Sequence, residues 1–248
     1  METKSDYTVK FGITQSFSCS YLPDEQEQLL VYAEDSELHS LRYSQLIQAG
    51  FRRSGEQIYR PHCPNCNACK SIRIPVDNFT ASRSQKRILK VNGGFKVQFS
   101  DNIKETYFPL YERYINERHS DGSMYPASQT QFDNFVQSDW MKTHYLEAYD
   151  GDKLIAVAVT DIVDANVPMS SLSALYTFFD PDYASASLGT WMILMQIMQA
   201  KQLGYRYLYL GYYVEGCNKM SYKQKFLPFE QFSDNQWHLF SKNSKIPT

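Results

Sequence analysis

Residues 170–213, SSLSALYTFFDPDYASASLGTWMILMQIMQAKQLGYRYLYLGYY, read as strand, helix, strand, and that order decides the fold. Ser170 to Phe179 is a strand candidate that ends in Tyr176, Thr177, Phe178 and Phe179 and is closed by Asp180-Pro181. Ser187 stands at the N-cap of a helix that places Leu188, Trp191, Met192, Met195 and Met198 on its apolar positions and stops at Gly204. Tyr205 to Tyr213 is then a strand rich in Tyr and Leu. A helical crossover returns the chain in its original direction, so the two strands are expected to be parallel neighbours.

Upstream, Thr143 to Tyr149 and Lys153 to Val163 flank the turn Asp150-Gly151-Asp152 and add an antiparallel meander. The class is α+β with a mixed sheet. Its order resembles the GNAT-like acyltransferase fold, a likeness that assigns no chemistry. Before the meander, Phe95 to Phe99 reads as a strand. A helical stripe follows over Ile103, Tyr107, Leu110, Tyr111, Tyr114 and Ile115, with Pro109 expected to kink or restart it. Ser128 and Gln131 form a capping-box pattern ahead of another helix.

The N-terminal third begins irregularly and continues with a helix over Ser36 to Gly50. Strands over Phe51 to Tyr59 and Ser71 to Val76 flank a cysteine knuckle, and a basic helix covers Ser82 to Val91. Asn92-Gly93-Gly94 is a turn, so two units are expected: a smaller cysteine-containing domain, 1–94, and a larger one, 95–248, in contact with each other. Length and a 43% hydrophobic composition suffice for a sizeable core.

The apolar runs are too short to span a bilayer, and no signal peptide is apparent. Five cysteines, three of them in CPNCNAC (Cys63, Cys66, Cys69), suit a reducing compartment, so a cytoplasmic protein without membrane contact is expected. The net charge of -2 conceals a division. Arg42 to Lys96 holds eleven Lys or Arg against Glu56 and Asp77, a net of +9 that leaves -11 for the rest. Such a stretch attracts phosphates or acidic peptides.

Several separated segments resemble the arginyl and leucyl tRNA-protein transferase family: CSYLPDEQ from Cys19, QLIQAGFRRSGEQIYRP from Gln45, SRSQKR from Ser82, LSALYTFFDP, SLGTW, and LGYYVEGCNKMSYK. The resemblance spans about Phe17 to Phe229. The short bacterial branch, lacking long insertions, moves Leu rather than Arg from its tRNA onto proteins that begin with Asp or Glu. That implies leucyl-tRNA and acidic protein N-termini as partners and a role in the N-degron pathway of protein degradation. An arginyl donor is the alternative within the family.

The chemistry asks for little. An aminoacyl-tRNA is an activated ester, and an N-terminal amine of pKa roughly 7.7 to 8.0 is partly neutral at pH 7. Direct aminolysis therefore needs alignment, worth roughly 7 to 11 kcal/mol of barrier, and donors for the oxyanion. Candidates for the catalytic groups are Tyr176, Tyr212 and Glu215, with Asp161 and Tyr213 also near the matching segments. The degron needs a guanidinium fork, for which Arg52, Arg53 and Arg73 are the candidates. For tRNA, Arg83, Lys86 and Arg87 form one cluster and Lys219, Tyr222 and Lys223 another, the two lysines sharing a face if the segment is helical.

Cys63, Cys66 and Cys69 at Cys-x-x-Cys-x-x-Cys spacing, with Cys19 as a fourth thiolate, would suit zinc or an iron-sulfur cluster. Reduced cysteines packing a tight knuckle are the equal alternative, and Cys217 is read as packing. In eukaryotic relatives a Cys-x-x-Cys lies near the N-terminus, but here Leu22 follows Cys19 at the third position, so their ligand set does not transfer intact. The link DPDYASASLGTW has one glycine and no basic residue, which disfavours coenzyme A. A rival reading from a different class is a zinc-knuckle RNA-binding protein, which leaves the second unit without a role.

Overall fold

The computed structural model describes residues 9–34, 39–163, 170–242 and 244. Strands β1 (Phe11–Ile13), β2 (Phe17–Ser18), β3 (Gln26–Glu27) and β4 (Leu29–Tyr32) occupy the stretch read as irregular. Helix α1 (His39–Leu46) ends in a 3₁₀ turn at Gly50, which takes φ 85°. Residues 36–38 of the expected helix lie outside the described residues. The run expected as one strand from Phe51 is a hairpin, β5 (Arg52–Ser54) and β6 (Gln57–Pro61), folded at Gly55 with φ +54°.

Next come β7 (Cys69–Pro75), α2 (Arg83–Val91), β8 (Lys96–Ser100), α3 (Tyr107–Arg118) and α4 (Gln129–Val136). Strands β9 (Thr143–Asp150), β10 (Lys153–Val163) and β11 (Ser171–Phe179) precede α5 (Leu188–Gln202), β12 (Tyr207–Val214), β13 (Phe229–Ser233) and β14 (Gln236–Phe240). Local chemistry explains most ends. Ser82 and Gln85 form a full capping box on α2. Ser128 accepts from the Gln131 N–H, but the reciprocal half is not made. Ser187 sits at the N-cap of α5 without a side-chain bond, its backbone left-handed. Pro109 leaves α3 uninterrupted, because it occupies the first turn, where no intrahelical N–H bond is lost.

The large sheet runs β14-β13-β7-β12-β11-β10-β9-β8, and a smaller one runs β1-β4-β6-β5. Among the described residues only β11 and β12 pair in parallel, as the crossover requires. The mixed α/β class is therefore present. The boundary at residue 94 does not coincide with the sheets: β7, from the N-terminal third, lies between β13 and β12. Its apolar Ile72 and Ile74 are fully buried in the main core, so the knuckle strand is an interior strand of the large sheet. Among the described residues no helix is long and apolar enough to cross a membrane.

Strand β10 shows how one period-2 pattern serves two layers. Ala156 and Ala158 meet Leu188, Trp191 and Met192 of α5, while Val157 and Val159 meet α3 and α4. Continuing on the second face, Asp161 points to the small sheet and receives Arg53 in a forked pair, Nε–Oδ2 2.8 Å and Nη2–Oδ1 2.5 Å, both side chains fully buried. Thr143 bonds both partners, and Arg53 also donates to the carbonyls of Gly55 and Val136. The Gly55 N–H donates to Phe135 O, so the hairpin tip is seated on the C-terminal end of α4, where a cation is favourable. A Cβ at Gly55 would lie 2.0 Å from Asn134 O, so no other residue fits.

Lys223 is another buried cation. It lies in the 3₁₀ segment Asn218–Lys225, is 7% exposed, and donates from Nζ to Tyr212 O. Burial, with help from Arg52, lowers its pKa to about 7. Below that value the group is charged in folded and unfolded chain alike and the burial cost is felt in full. Between about 7 and the ordinary lysine range the unfolded chain keeps a proton that the folded chain has released, so stability rises with pH. Lys223→Met is thus expected to raise the melting temperature at pH 6, by an amount that shrinks toward pH 10, as measured by thermal unfolding across that range. Asp161→Ala leaves Arg53 buried and unpaired and should cost about 3 to 5 kcal/mol in denaturant titration. The double variant Arg53→Met/Asp161→Leu should recover most of that loss.

Candidate functional site

The parallel ladder between β11 and β12 is short. Ser171, Leu172 and Ser173 pair with Tyr207, Leu208 and Tyr209, and there it stops. Beyond that point β11 stays with β10 and β12 stays with β7, each held by a long antiparallel ladder. Irregularities fall just where the strands part: β11 shifts register between Tyr176 and Ala174, and β12 between Tyr209 and Gly211, where Gly211 takes φ +77°. The diverging edges carry main-chain donors and acceptors that no neighbouring strand takes up among the described residues.

Tyrosines gather at this opening. Tyr176 packs among Tyr111, Tyr114 and Phe135, with ring centroids 6.2, 6.4 and 5.3 Å away. Burial, reinforced by Tyr114, Tyr111, Tyr21 and Tyr222, holds the Tyr176 phenol far above the usual range. Tyr21 belongs to CSYLPDEQ and Tyr222 to NKMSYK, so the fold converges segments some two hundred residues apart. Leu22 also faces Gly216: a Cβ there would stand 3.6 Å from its side chain.

The catalytic candidates fare differently. Tyr176 lies on the opening but keeps its proton, so it is a hydrogen-bond donor and not a base. Tyr212 also retains its proton well above the ordinary phenol range, through burial, and donates it to the carbonyls of Gly50 and Tyr59 at 2.9 and 3.3 Å. Its phenol is structural. Glu215 is half-buried on the loop after β12, its N–H bonded to Ala68 O. Asp161 is consumed by Arg53, and Tyr213 is buried in the main core.

None of the three arginines expected to grip the degron offers a free fork. Arg53 is closed on Asp161. Arg73 pairs with Glu230 at 2.5 Å and lies between Tyr207 and Trp237, 3.7 and 4.0 Å from the ring centres. Arg52 is buried, bonded to Phe51 O and Ser71 Oγ and set against the rings of Tyr209 and Tyr212. All three are basic residues of the matching segments. Their inward direction was set by strand registers that no local pattern reveals.

The two basic clusters come together. Gln85 of α2 donates to Lys225 O at 3.1 Å, which brings Arg83, Lys86 and Arg87, all exposed, beside the 3₁₀ segment with exposed Tyr222. Lys219 is exposed and paired with Asp121 at 2.6 Å. Lys223 does not share its face: at three residues per turn, positions i and i+4 are about a third of a turn apart. It is buried and cannot reach a phosphate.

The cysteines also converge. Cys63, Cys66, Cys69 and Cys19 stand near enough to influence one another, and burial pushes Cys69 up to about 12 and Cys63 upward as well. Yet among the described residues no three His, Cys, Asp or Glu side chains are arranged to hold a metal ion. All four cysteines are half-buried and none belongs to a core cluster. Cys63, Cys66 and Cys69 line a cleft of ≈ 370 Å³ with Arg60, Lys70, Ser71, Tyr212 and Asp234. The sequence reading missed this cleft, because one wall is the β13–β14 hairpin, whose Asp234 and Asn235 both have positive φ.

Comparison with known proteins agrees with this assembly. The aspartate/glutamate leucyltransferase of Pseudoalteromonas atlantica is 53% identical over 94% of this chain and 99% of its own. That of Aeromonas hydrophila is 52% identical over 92% and 94%, and that of Shewanella amazonensis 43% over 98% and 100%. Among solved structures, L-PGS from Bacillus licheniformis covers 86% of this chain and 67% of its own at 11% identity and a TM-score of 0.47. A tandem GNAT protein from the clavulanic acid biosynthesis pathway covers 90% and 60% at 10% identity and 0.41. The family models for the arginine-tRNA-protein transferase N terminus and C terminus match residues 17–87 and 106–233, and the chain belongs to that family.

Proposed function

We propose that this chain transfers leucine from leucyl-tRNA to the N-terminal amine of proteins beginning with Asp or Glu, in the cytoplasm, as a step of the N-degron pathway. The carrying observation is its 53% identity, over nearly the full length of both chains, to a protein named for that transfer. The site is compatible with it. Around Tyr176 the walls are aromatic, built from Tyr111, Tyr114 and Phe135. An apolar leucyl side chain suits such walls, whereas an arginyl donor would want a carboxylate.

The reaction is aminolysis. The amine nitrogen attacks the ester carbonyl carbon, the carbon–oxygen bond to the tRNA ribose breaks, and the departing oxygen takes a proton from the attacking nitrogen. The unladdered edges of β11 and β12 supply main-chain groups that can align donor and acceptor, and alignment is where most of the acceleration arises. Tyr176, held protonated, donates to the tetrahedral oxyanion. The exposed Arg83, Lys86 and Arg87, beside Tyr222, form a surface for the acceptor stem and its stacked end.

Labelled leucine should move from charged tRNA to a peptide starting with Asp or Glu and not to one starting with Gly; transfer of arginine alone would reassign the donor. Tyr176→Phe should lower kcat about 10²-fold in single-turnover assays, with the melting temperature little changed. Reversing Arg83, Lys86 and Arg87 to Glu should raise KM for the tRNA and flatten its salt dependence.

A further inference from the structure

The buried fates of Arg52, Arg53 and Arg73 leave open what reads the acidic residue of the acceptor, a question that rests on the transfer reaction proposed above. The cleft beside the cysteine knuckle has the chemistry for it. Two cations line it, Arg60 from β6 and Lys70 from β7, and neither has a carboxylate within ion-pair distance among the described residues. Arg60 is fixed in direction: one nitrogen donates to Ala49 O at 3.1 Å, and the guanidinium lies 5.1 Å from the Phe51 ring centre. Its remaining N–H groups stay available. Behind the wall, Arg52 bonds the Oγ of Ser71, itself a lining residue, and has no acid partner either. Against these three positive groups stand one lining carboxylate, Asp234 on the hairpin tip, and Glu27 near Cys63 and Cys69. A partly enclosed cavity with surplus positive charge lowers the energy of an entering anion.

Size and place narrow the anion. At ≈ 370 Å³ the cleft is near the lower end of roughly 300 to 1,000 Å³ for ligand pockets, and it suits the end of an extended chain better than a nucleic-acid backbone. The exposed cations of α2 belong to a helix packed with α5. The small sheet that forms this wall packs with Val163, Tyr207 and Tyr209 instead. The cleft also adjoins the opening: Tyr212, on β12 beyond the end of the parallel ladder, lines it.

We propose that the cleft between the cysteine knuckle and the β13–β14 hairpin receives the first residue of the acceptor protein, with Arg60 and Lys70 holding its side-chain carboxylate. Both cations converging on one small anion explains acceptance of Asp and Glu alike, since Lys70 is a flexible point charge and Arg60 a fixed fork. Asn and Gln, equal in shape, lack the charge and are refused.

The test is binding of labelled peptides beginning with Asp, Glu or Asn to the full chain by fluorescence anisotropy, without tRNA, alongside steady-state transfer. Lys70→Met should weaken the Asp and Glu peptides ~10-fold or more, leave the Asn peptide and leucyl-tRNA unaffected, and raise peptide KM much more than it lowers kcat. Arg60→Gln should do the same if its fold holds by circular dichroism, and Lys70→Glu should reverse the order of Asp and Asn. Unchanged Asp over Asn preference in both Lys70 variants overturns the assignment, as does a loss of tRNA affinity in place of peptide affinity. Charge-selective peptide binding that depends on Lys70, in a chain that transfers nothing, would support the cleft while removing the proposed reaction.

Discussion

The ion pair between Arg53 and Asp161 is the joint on which the arrangement turns. Its two members come from the small sheet and from the most buried strand of the large one, and removal from water makes each depend on the other. Around it lie Thr143, the end of α4 and the Gly55 turn, so one charge pair fixes the hairpin, a helix terminus and β10 together. The orientation of β6, and with it Arg60, follows from that joint. A pair so completely buried gives direction more than stability, because hydrophobic replacements could fill the same space without dictating a fork.

A second constraint is the disagreement between ladders. Strand β12 follows β7 while β11 follows β10, and the two agree over only three residue pairs. Parting leaves polar main-chain edges and a wall of phenols in one place. Main-chain groups of this kind cost energy when unmatched, so an extended ligand that matches them is favoured. Because the phenols there hold their protons, the proposed transfer would rest on donation and alignment, which suits an activated ester that needs no covalent relay.

Family membership and site geometry answer different questions. Relatedness at 43 to 53% identity supports the reaction, while geometry distinguishes which cations are structural and which are free. Three arginines that looked like ligands for an acidic residue are spent on Asp161, Glu230 and the backbone. Cys63, Cys66 and Cys69 of the cysteine cluster form one wall of a cleft.

The amino-acid order by itself determined the strand–helix–strand crossover, the meander before it, the capped helix at Ser82 and the concentration of positive charge between Arg42 and Lys96. These depend on periodicity, caps and composition, which are local. Only the tertiary structure decided that β7 enters the large sheet, that Lys223 is buried while Arg83 is exposed, and that Arg60 and Lys70 share a cleft with a hairpin 160 residues away. The reason is physical: which way a strand's side chains face depends on the register it finds with distant partners, and a shift of one residue exchanges the buried set for the exposed one.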